Sequence, residues 1–166
     1  LNDHIKLLFA RAARLYCTGC GKPVQRDSPQ TIYEQLMAAT GGGDHEGVHL
    51  LITFAVTIPK SFSSAEVLRL LAAQGYTRIR SQRAGVVEVV QDRVRPAHGN
   101  RDRIIEDLEA ALKHGRGAVT VRSVREPGRV VATHRYSADL HCADCDIHYR
   151  SEEHTSELQS HVRISY

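Results

Sequence analysis

The chain has 166 residues, 42% of them hydrophobic and 25% charged, with 22 basic against 19 acidic side chains for a formal net charge of +3. Those figures fit one globular domain with appendages, and they exclude a disulfide-dense miniature scaffold and a disordered polyelectrolyte. No apolar run approaches the roughly 18 residues of a membrane-spanning helix, and no signal-peptide core follows a basic start, so a reducing cytoplasm is the expected compartment.

In chain order, Ile5, Leu8, Phe9 and Ala12 stand at helical spacing, with Lys6, Arg11 and Arg14 free for solvent, which predicts a helix over 3–14. Ser28 before Pro29 is an N-cap followed by a first-turn proline, and Ile32, Leu36 and Met37 supply a short apolar face that Gly41-Gly42-Gly43 ends. Val48 to Ile58 is a β-rich apolar run stopped by Pro59, a buried strand. Ser63 and Glu66 form a capping box ahead of Val67, Leu68, Leu70 and Leu71, with Gly75 as the stop. Tyr76 to Ser81 reads as a strand, and Ala84-Gly85 as a hairpin turn into Val86 to Val94. Asn100 is placed to cap a helix whose inner face is Ile104, Ile105, Leu108 and Leu112, ended by Gly115. Strands over Ala118 to Val124 and Arg129 to Tyr136 follow, turned by Glu126-Pro127-Gly128. The order β-α-β-β-α-β-β begins as a ferredoxin-like α/β sandwich, an α+β fold whose sheet is covered on one face by two helices.

All four cysteines fall in two short pairs, Cys17-Thr-Gly-Cys20 and Cys142-Ala-Asp-Cys145. A two-residue gap lets two thiolates reach one ion from a single knuckle, so the pairs predict one tetrathiolate zinc site with the intervening fold inserted between its halves. Against a redox dithiol, Gly21 and Pro23 follow the first pair, where a thioredoxin-like thiol needs a helix N-terminus. Against a disulfide framework stand the low cysteine density and the compartment. Four unrelated buried thiols would not need this spacing. A closed four-sulfur site lacks the open position of catalytic zinc, so the metal is expected to be structural. His141 and His148 flank the second knuckle and could replace a thiolate or support one, but four cysteines already complete the site, which favours exposed polar roles for both.

Several motifs are missing. Gly21-Lys22 runs into Pro23 with no earlier glycine, so there is no phosphate loop, and neither a G-x-S-x-G elbow nor an H-E-x-x-H helix occurs. No catalytic residue is assigned and no enzymatic activity is expected of this stretch. Arg150 to His161, RSEEHTSELQSH, resembles the in-frame translation of a sequencing-adapter oligonucleotide and is set aside from the fold. Residues 162–166 then have no assured origin, and with Leu1 in place of a methionine the chain is expected to be a cut-short reading frame. Up to Arg150 the balance is 21 basic against 16 acidic residues, or +5.

Leu7-Leu8-Phe9-Ala10-Arg11 followed by C-x-x-C-G-x-P, then Gln74-Gly75-Tyr76-Thr77-Arg78-Ile79-Arg80, Val89-Val90-Gln91-Asp92-Arg93, the helix Asp107 to Lys113, and Cys142-x-x-Cys145 occur in the order found in UvrA. Over Leu1 to Tyr149 the chain resembles that family, the ATPase subunit of the bacterial UvrABC excinuclease. The resemblance implies a division into an N-terminal part over 1–46, a UvrB-binding α/β domain over 47–138 and a second knuckle over 139–149; the adapter-like string sets off a tail over 150–166 outside the fold. It implies structural zinc on Cys17, Cys20, Cys142 and Cys145, UvrB as partner through Arg78, Arg80 and Arg93, and a cytoplasmic role in nucleotide excision repair. ATP, DNA and a second UvrA protomer would be engaged through parts of the parent outside this stretch. Arg83-Ala84-Gly85 replaces a more acidic turn of the family, and Val56 to Phe62 departs from its usual basic loop. The rival reading is a stand-alone zinc-stapled nucleic-acid-binding module, which would want a continuous basic stripe and stacking aromatics; three phenylalanines and no tryptophan supply few.

Overall fold

The computed structural model describes residues 14–41 and 47–149. The helix predicted over 3–14 and the adapter-like tail lie outside the described residues, save Arg14. Two short strands open the described chain, β1 (Leu15–Tyr16) and β2 (Pro23–Val24), and helix α1 (Pro29–Ala39) follows. Then come β3 (Val48–Thr57), α2 (Ser64–Ala73), β4 (Ile79–Arg83), β5 (Val86–Val94), α3 (Arg101–His114), β6 (Ala118–Arg125) and β7 (Arg129–Ser137). A last hairpin pairs β8 (His141–Cys142) with β9 (Ile147–His148).

The five long strands form one antiparallel sheet in the order β4-β5-β3-β6-β7. The two long central strands β5 and β3 are thus flanked by β4 on one side and β6 on the other, the ferredoxin-like arrangement, and β7 adds a fifth strand at the edge. Strand periodicity divides the residues between faces. Leu50, Ile52 and Phe54 of β3, Val87 and Val89 of β5, and Val119 and Val121 of β6 are buried together under Val67 and Leu71 of α2 and Ile104, Leu108 and Ala111 of α3. Helix α1 adds Ile32, Tyr33, Leu36 and Met37 to the same core, so three helices rather than the expected two serve that face. Phe54, Tyr76 and His114 close one end, with ring centroids 5.2 to 5.7 Å apart.

Local chemistry sets the boundaries. Ser28 accepts from the Thr31 amide while Thr31 Oγ1 accepts from the Ser28 amide, and Ser63 and Glu66 do the same for α2. The bond from the Ser63 amide holds the Glu66 carboxyl below its ordinary pKa. Gly115 turns α3 back toward β6 so tightly that an added Cβ would stand 2.2 Å from the Ala118 carbonyl oxygen, which no side chain allows.

Two expectations are corrected. Asn100 does not cap α3: a 3₁₀ turn over His98–Asn100 gives it non-extended backbone, and its amide donates to the Arg95 carbonyl instead. The strand expected from Tyr76 begins at Ile79, because the Tyr76 amide still closes the end of α2 on the Leu71 carbonyl while its ring joins Phe54.

Where α3 crosses β5, the Gln91 amide donates to Asp107 Oδ1 at 3.2 Å, Arg103 grips Asp92 Oδ2 through Nε (2.9 Å) and Nη2 (2.6 Å), and Asp107 Oδ2 is buried with no partner. Burial, reinforced by the Asp92 carboxylate, pushes Asp107 up to about 6. Between its ordinary value near ~4 and that point the folded chain holds a proton that the unfolded chain has released, so this group's contribution to stability falls as pH rises through the window. Asp107→Asn keeps the shape without the ionisation. It is expected to add about 1 kcal/mol at pH 7, a figure discounted for partial exposure, and almost nothing near pH 4. Urea melts at the two pH values check this; an equal gain at both would remove ionisation as the cause.

Candidate metal centre

Each cysteine pair sits in the turn of a two-stranded hairpin. In the first, β1 pairs with β2, the Cys17 amide donates to the Lys22 carbonyl (2.7 Å), and the Gly21 amide donates to the Cys17 carbonyl (2.8 Å). In the second, Cys142 pairs with Ile147 and the Asp146 amide donates to the Cys142 carbonyl (2.8 Å). Positive φ at Gly21 and Asp146 turns each knuckle back on itself.

The chain brings the two knuckles together although 122 residues separate Cys20 from Cys142. The sulfurs of Cys17, Cys20, Cys142 and Cys145 all lie within 4.8 Å of one another, and those of Cys20 and Cys142 are 3.6 Å apart. No disulfide links them, since a bonded pair would stand at about 2.05 Å. Four sulfurs about 2.3 Å from a tetrahedral ion stand about 3.8 Å apart, so the set can hold one metal ion with small adjustment.

The electrostatics point the same way. Chiefly through a hydrogen bond from Tyr149, with backbone amides helping, Cys17 is lowered to about 6, whereas Cys145 is pushed up to about 12, chiefly by its contact with Cys20. Cys142 is raised as well. The Cys17 thiolate forms readily while Cys142 and Cys145 are pushed toward the protonated form by crowding, a conflict that a divalent cation among the sulfurs relieves.

Side chains around the sulfurs lock the two knuckles to each other and to the sheet. Asp144, inside the second pair, receives Lys22 from the first knuckle (2.5 Å) and Arg135 from β7 (3.0 Å), and these cations, Lys22 foremost, keep its carboxyl below the ordinary range. The Thr18 amide donates to the Tyr149 hydroxyl (2.8 Å), and Cys17, Val24 and Cys142 form a small buried cluster with Leu15, Ile147 and Tyr149 against it. The Asp27 amide donates to the Ser137 carbonyl (2.8 Å) and the Ser137 amide to Asp27 Oδ2 (3.2 Å), joining the end of β7 to the approach to α1. Both knuckles therefore stand at the base of the sheet, where its chain enters and leaves.

The three arginines picked from the sequence do not form one cluster. Arg78 is exposed just before β4, and its carbonyl accepts from the Val90 amide. Arg80 is bound to Glu88 (3.2 Å) and Arg93 to Glu126 (3.2 Å) on the sheet face opposite the helices. The charge centre of that face is Glu88 with Arg122, which sequence reading missed. Its signal was the alternation of β6, where Val119 and Val121 point to the core and Thr120 and Arg122 must then point away. Among the described residues no helix is long and apolar enough to cross a membrane.

Fold and site together define a cysteine-knuckle α+β unit: a ferredoxin-like sheet carried as an excursion between two cysteine hairpins. The chain is similar to the UvrABC system protein A of Xanthomonas axonopodis pv. citri, 28% identical over 161 residues, 88% of this chain and 16% of that protein. To the protein of the same name from Mycobacterium tuberculosis it is 30% identical over 156 residues, 84% of this chain and 16% of that protein, and to that of Methanothermobacter thermautotrophicus 28% identical over 153 residues, 81% and 15%. The resemblance to UvrA drawn from the motifs thus extends across most of the chain, which spans about 16% of the length of these curated relatives. No protein-family model matches the chain.

Proposed function

We propose that this chain is the part of a UvrA protein that docks UvrB during nucleotide excision repair, carried on a structural zinc site at its base. The observation that carries the reading is similarity to UvrA over most of the chain, with all four cysteines gathered at one point. Zinc suits four thiolates in tetrahedral array, and a filled four-sulfur shell leaves no position for a reacting water. Cys17, Cys20, Cys142 and Cys145 would hold the ion, which would tie the entering and leaving chain into one rigid pedestal. UvrB would meet the sheet unit through Arg78, Arg80 and Arg93, whose guanidinium forks match carboxylates, and on this reading a UvrB acid takes the place of Glu126 at Arg93.

Pairing within the chain favours this over a stand-alone nucleic-acid-binding role. Arg80, Arg93, Arg103, Arg122 and Arg135 each already meet an acid, which leaves them poorly disposed as a continuous phosphate-binding stripe. Isothermal titration of purified UvrB into the zinc-loaded chain tests the proposal. Saturable 1:1 binding is expected, and Arg93→Ala should weaken it at least tenfold, about 1.4 kcal/mol. Absence of binding would overturn the docking role; unchanged affinity in the variant would remove Arg93 from the surface.

A further inference from the structure

The β8–β9 hairpin has two faces. Successive strand residues point to opposite sides, so Cys142 and its partner Ile147 turn toward the sulfurs and their small apolar cluster, and the neighbouring pair His141 and His148 turns away. On that other face the two imidazoles stack with centroids 4.0 Å apart and planes 17° from parallel. Asp146 closes the group: His141 Nε2 and Asp146 Oδ1 are 2.9 Å apart, and one ligand atom from each of His141, Asp146 and His148 lies within 4.8 Å of the other two. The His141 side chain is only 9% exposed, whereas that of Asp146 is 91% exposed.

We propose that His141, Asp146 and His148 form a second metal site, separate from the cysteine centre, that takes a divalent transition ion of the zinc class. Two imidazoles and a carboxylate are the donors such ions select, and the set differs in kind from the four soft sulfurs across the hairpin. Ligand atoms about 2.0 to 2.1 Å from a tetrahedral ion stand about 3.3 Å apart. His141 and Asp146 need open only slightly from their present contact, the metal replacing the proton between them, and His148, exposed on its strand, swings in by rotation about its side-chain bonds. Three protein ligands leave at least one coordination position to water, so this ion is exchangeable where the four-sulfur ion is not. His141 is held in place by cross-strand pairing, partial burial and the closure of the knuckle below it, so most of the ordering that the site needs is already present.

The test uses the full chain loaded first with one equivalent of cobalt, whose thiolate charge-transfer band identifies the cysteine centre, and then titrated with more cobalt or zinc. A second equivalent is expected to bind without increasing that band. His148→Ala should weaken the second equivalent at least tenfold and leave the first intact. Asp146→Asn should do the same, and asparagine accepts the positive φ of 57° at this position, so the knuckle keeps its turn. If His148→Ala also loses the thiolate band, the hairpin itself has been damaged, and Asp146→Asn alone decides. The absence of a second equivalent in the unsubstituted chain overturns the site. A second equivalent indifferent to Asp146→Asn places the ion on other histidines and overturns it equally.

Discussion

Cys142→Ser is expected to abolish tight metal binding by the four-sulfur centre and to separate the base of the molecule from its sheet. A structural zinc in a site of this kind contributes on the order of 10 kcal/mol or more to holding its ligands together. Cys142 is buried and its sulfur stands 3.6 Å from that of Cys20 across the two knuckles, so its loss breaks the junction and not merely one bond in four. What remains at the base is the Lys22–Asp144–Arg135 ion-pair set, the Thr18–Tyr149 and Asp27–Ser137 hydrogen bonds and a small apolar cluster, and exposed pairs such as Lys22–Asp144 are worth ~1 kcal/mol or less. The sheet should survive, because its core of Leu50, Ile52, Phe54, Val87, Val89, Ile104 and Leu108 shares no residue with that cluster. Hydrogen exchange followed with and without a chelator distinguishes the two regions. In the variant, or in the chelated parent, the Cys17, Gly21 and Asp146 amides should lose protection while those of β3, β5 and β6 keep theirs. A variant that kept the cobalt–thiolate band at full intensity would show that Cys142 does not hold the ion.

The sheet was legible in the sequence because its strands are β-rich runs bounded by turns that carry Gly and Pro, although bulges in three strand pairings break their alternation. The capping boxes at Ser28 and Ser63 were legible for a similar reason: caps are decided by residues three apart, with little influence from the rest of the chain. Asn100 misled because a 3₁₀ turn, set by how the chain leaves β5, controls its backbone. Tyr76 misled because a ring-to-ring contact with Phe54, on a strand 22 positions away, outweighs its strand preference. At the cysteines, the two C-x-x-C pairs were expected to meet and their sulfurs do gather within 4.8 Å; the route was not readable, since it depends on β7 returning the chain to its point of entry. The arginines were readable only as candidates. Which of them are neutralised depends on strand register, and the register puts Glu88 opposite Ala55 and beside both Arg80 and Arg122.

Glu88→Ala is accordingly expected to be the most damaging single change on the helix-free face of the sheet, costing about 3 kcal/mol. One carboxylate there gathers four donors. Glu88 Oε1 accepts from Arg122 Nη1 at 2.5 Å and from Thr53 Oγ1 at 2.9 Å, and Oε2 accepts from Arg80 Nη1 and Ser81 Oγ, both at 3.2 Å. The Arg122 and Glu88 side chains are only 12% and 16% exposed, so the charges are partly desolvated and the loss of one leaves the other uncompensated. Thr53 would suffer less, because its hydroxyl also meets the Thr120 carbonyl at 3.0 Å. Burial pushes the Glu88 carboxyl up, but the bonds from Arg122 and Thr53 outweigh it and hold the group below its ordinary value. A carboxyl depressed in the folded chain stabilises above its unfolded pKa of ~4.3, and that contribution fades as pH falls through the folded value. The variant should therefore lose most at neutral pH and approach the parent in acid. A second substitution gives the decisive sign. If the cost comes from a stranded guanidinium, Glu88→Ala with Arg122→Ala must be more stable than Glu88→Ala alone, as urea denaturation at pH 7 would show. If the double variant is less stable, Arg122 contributes mainly through the packing of its aliphatic stem on the sheet, and charge compensation is not what holds this face in order.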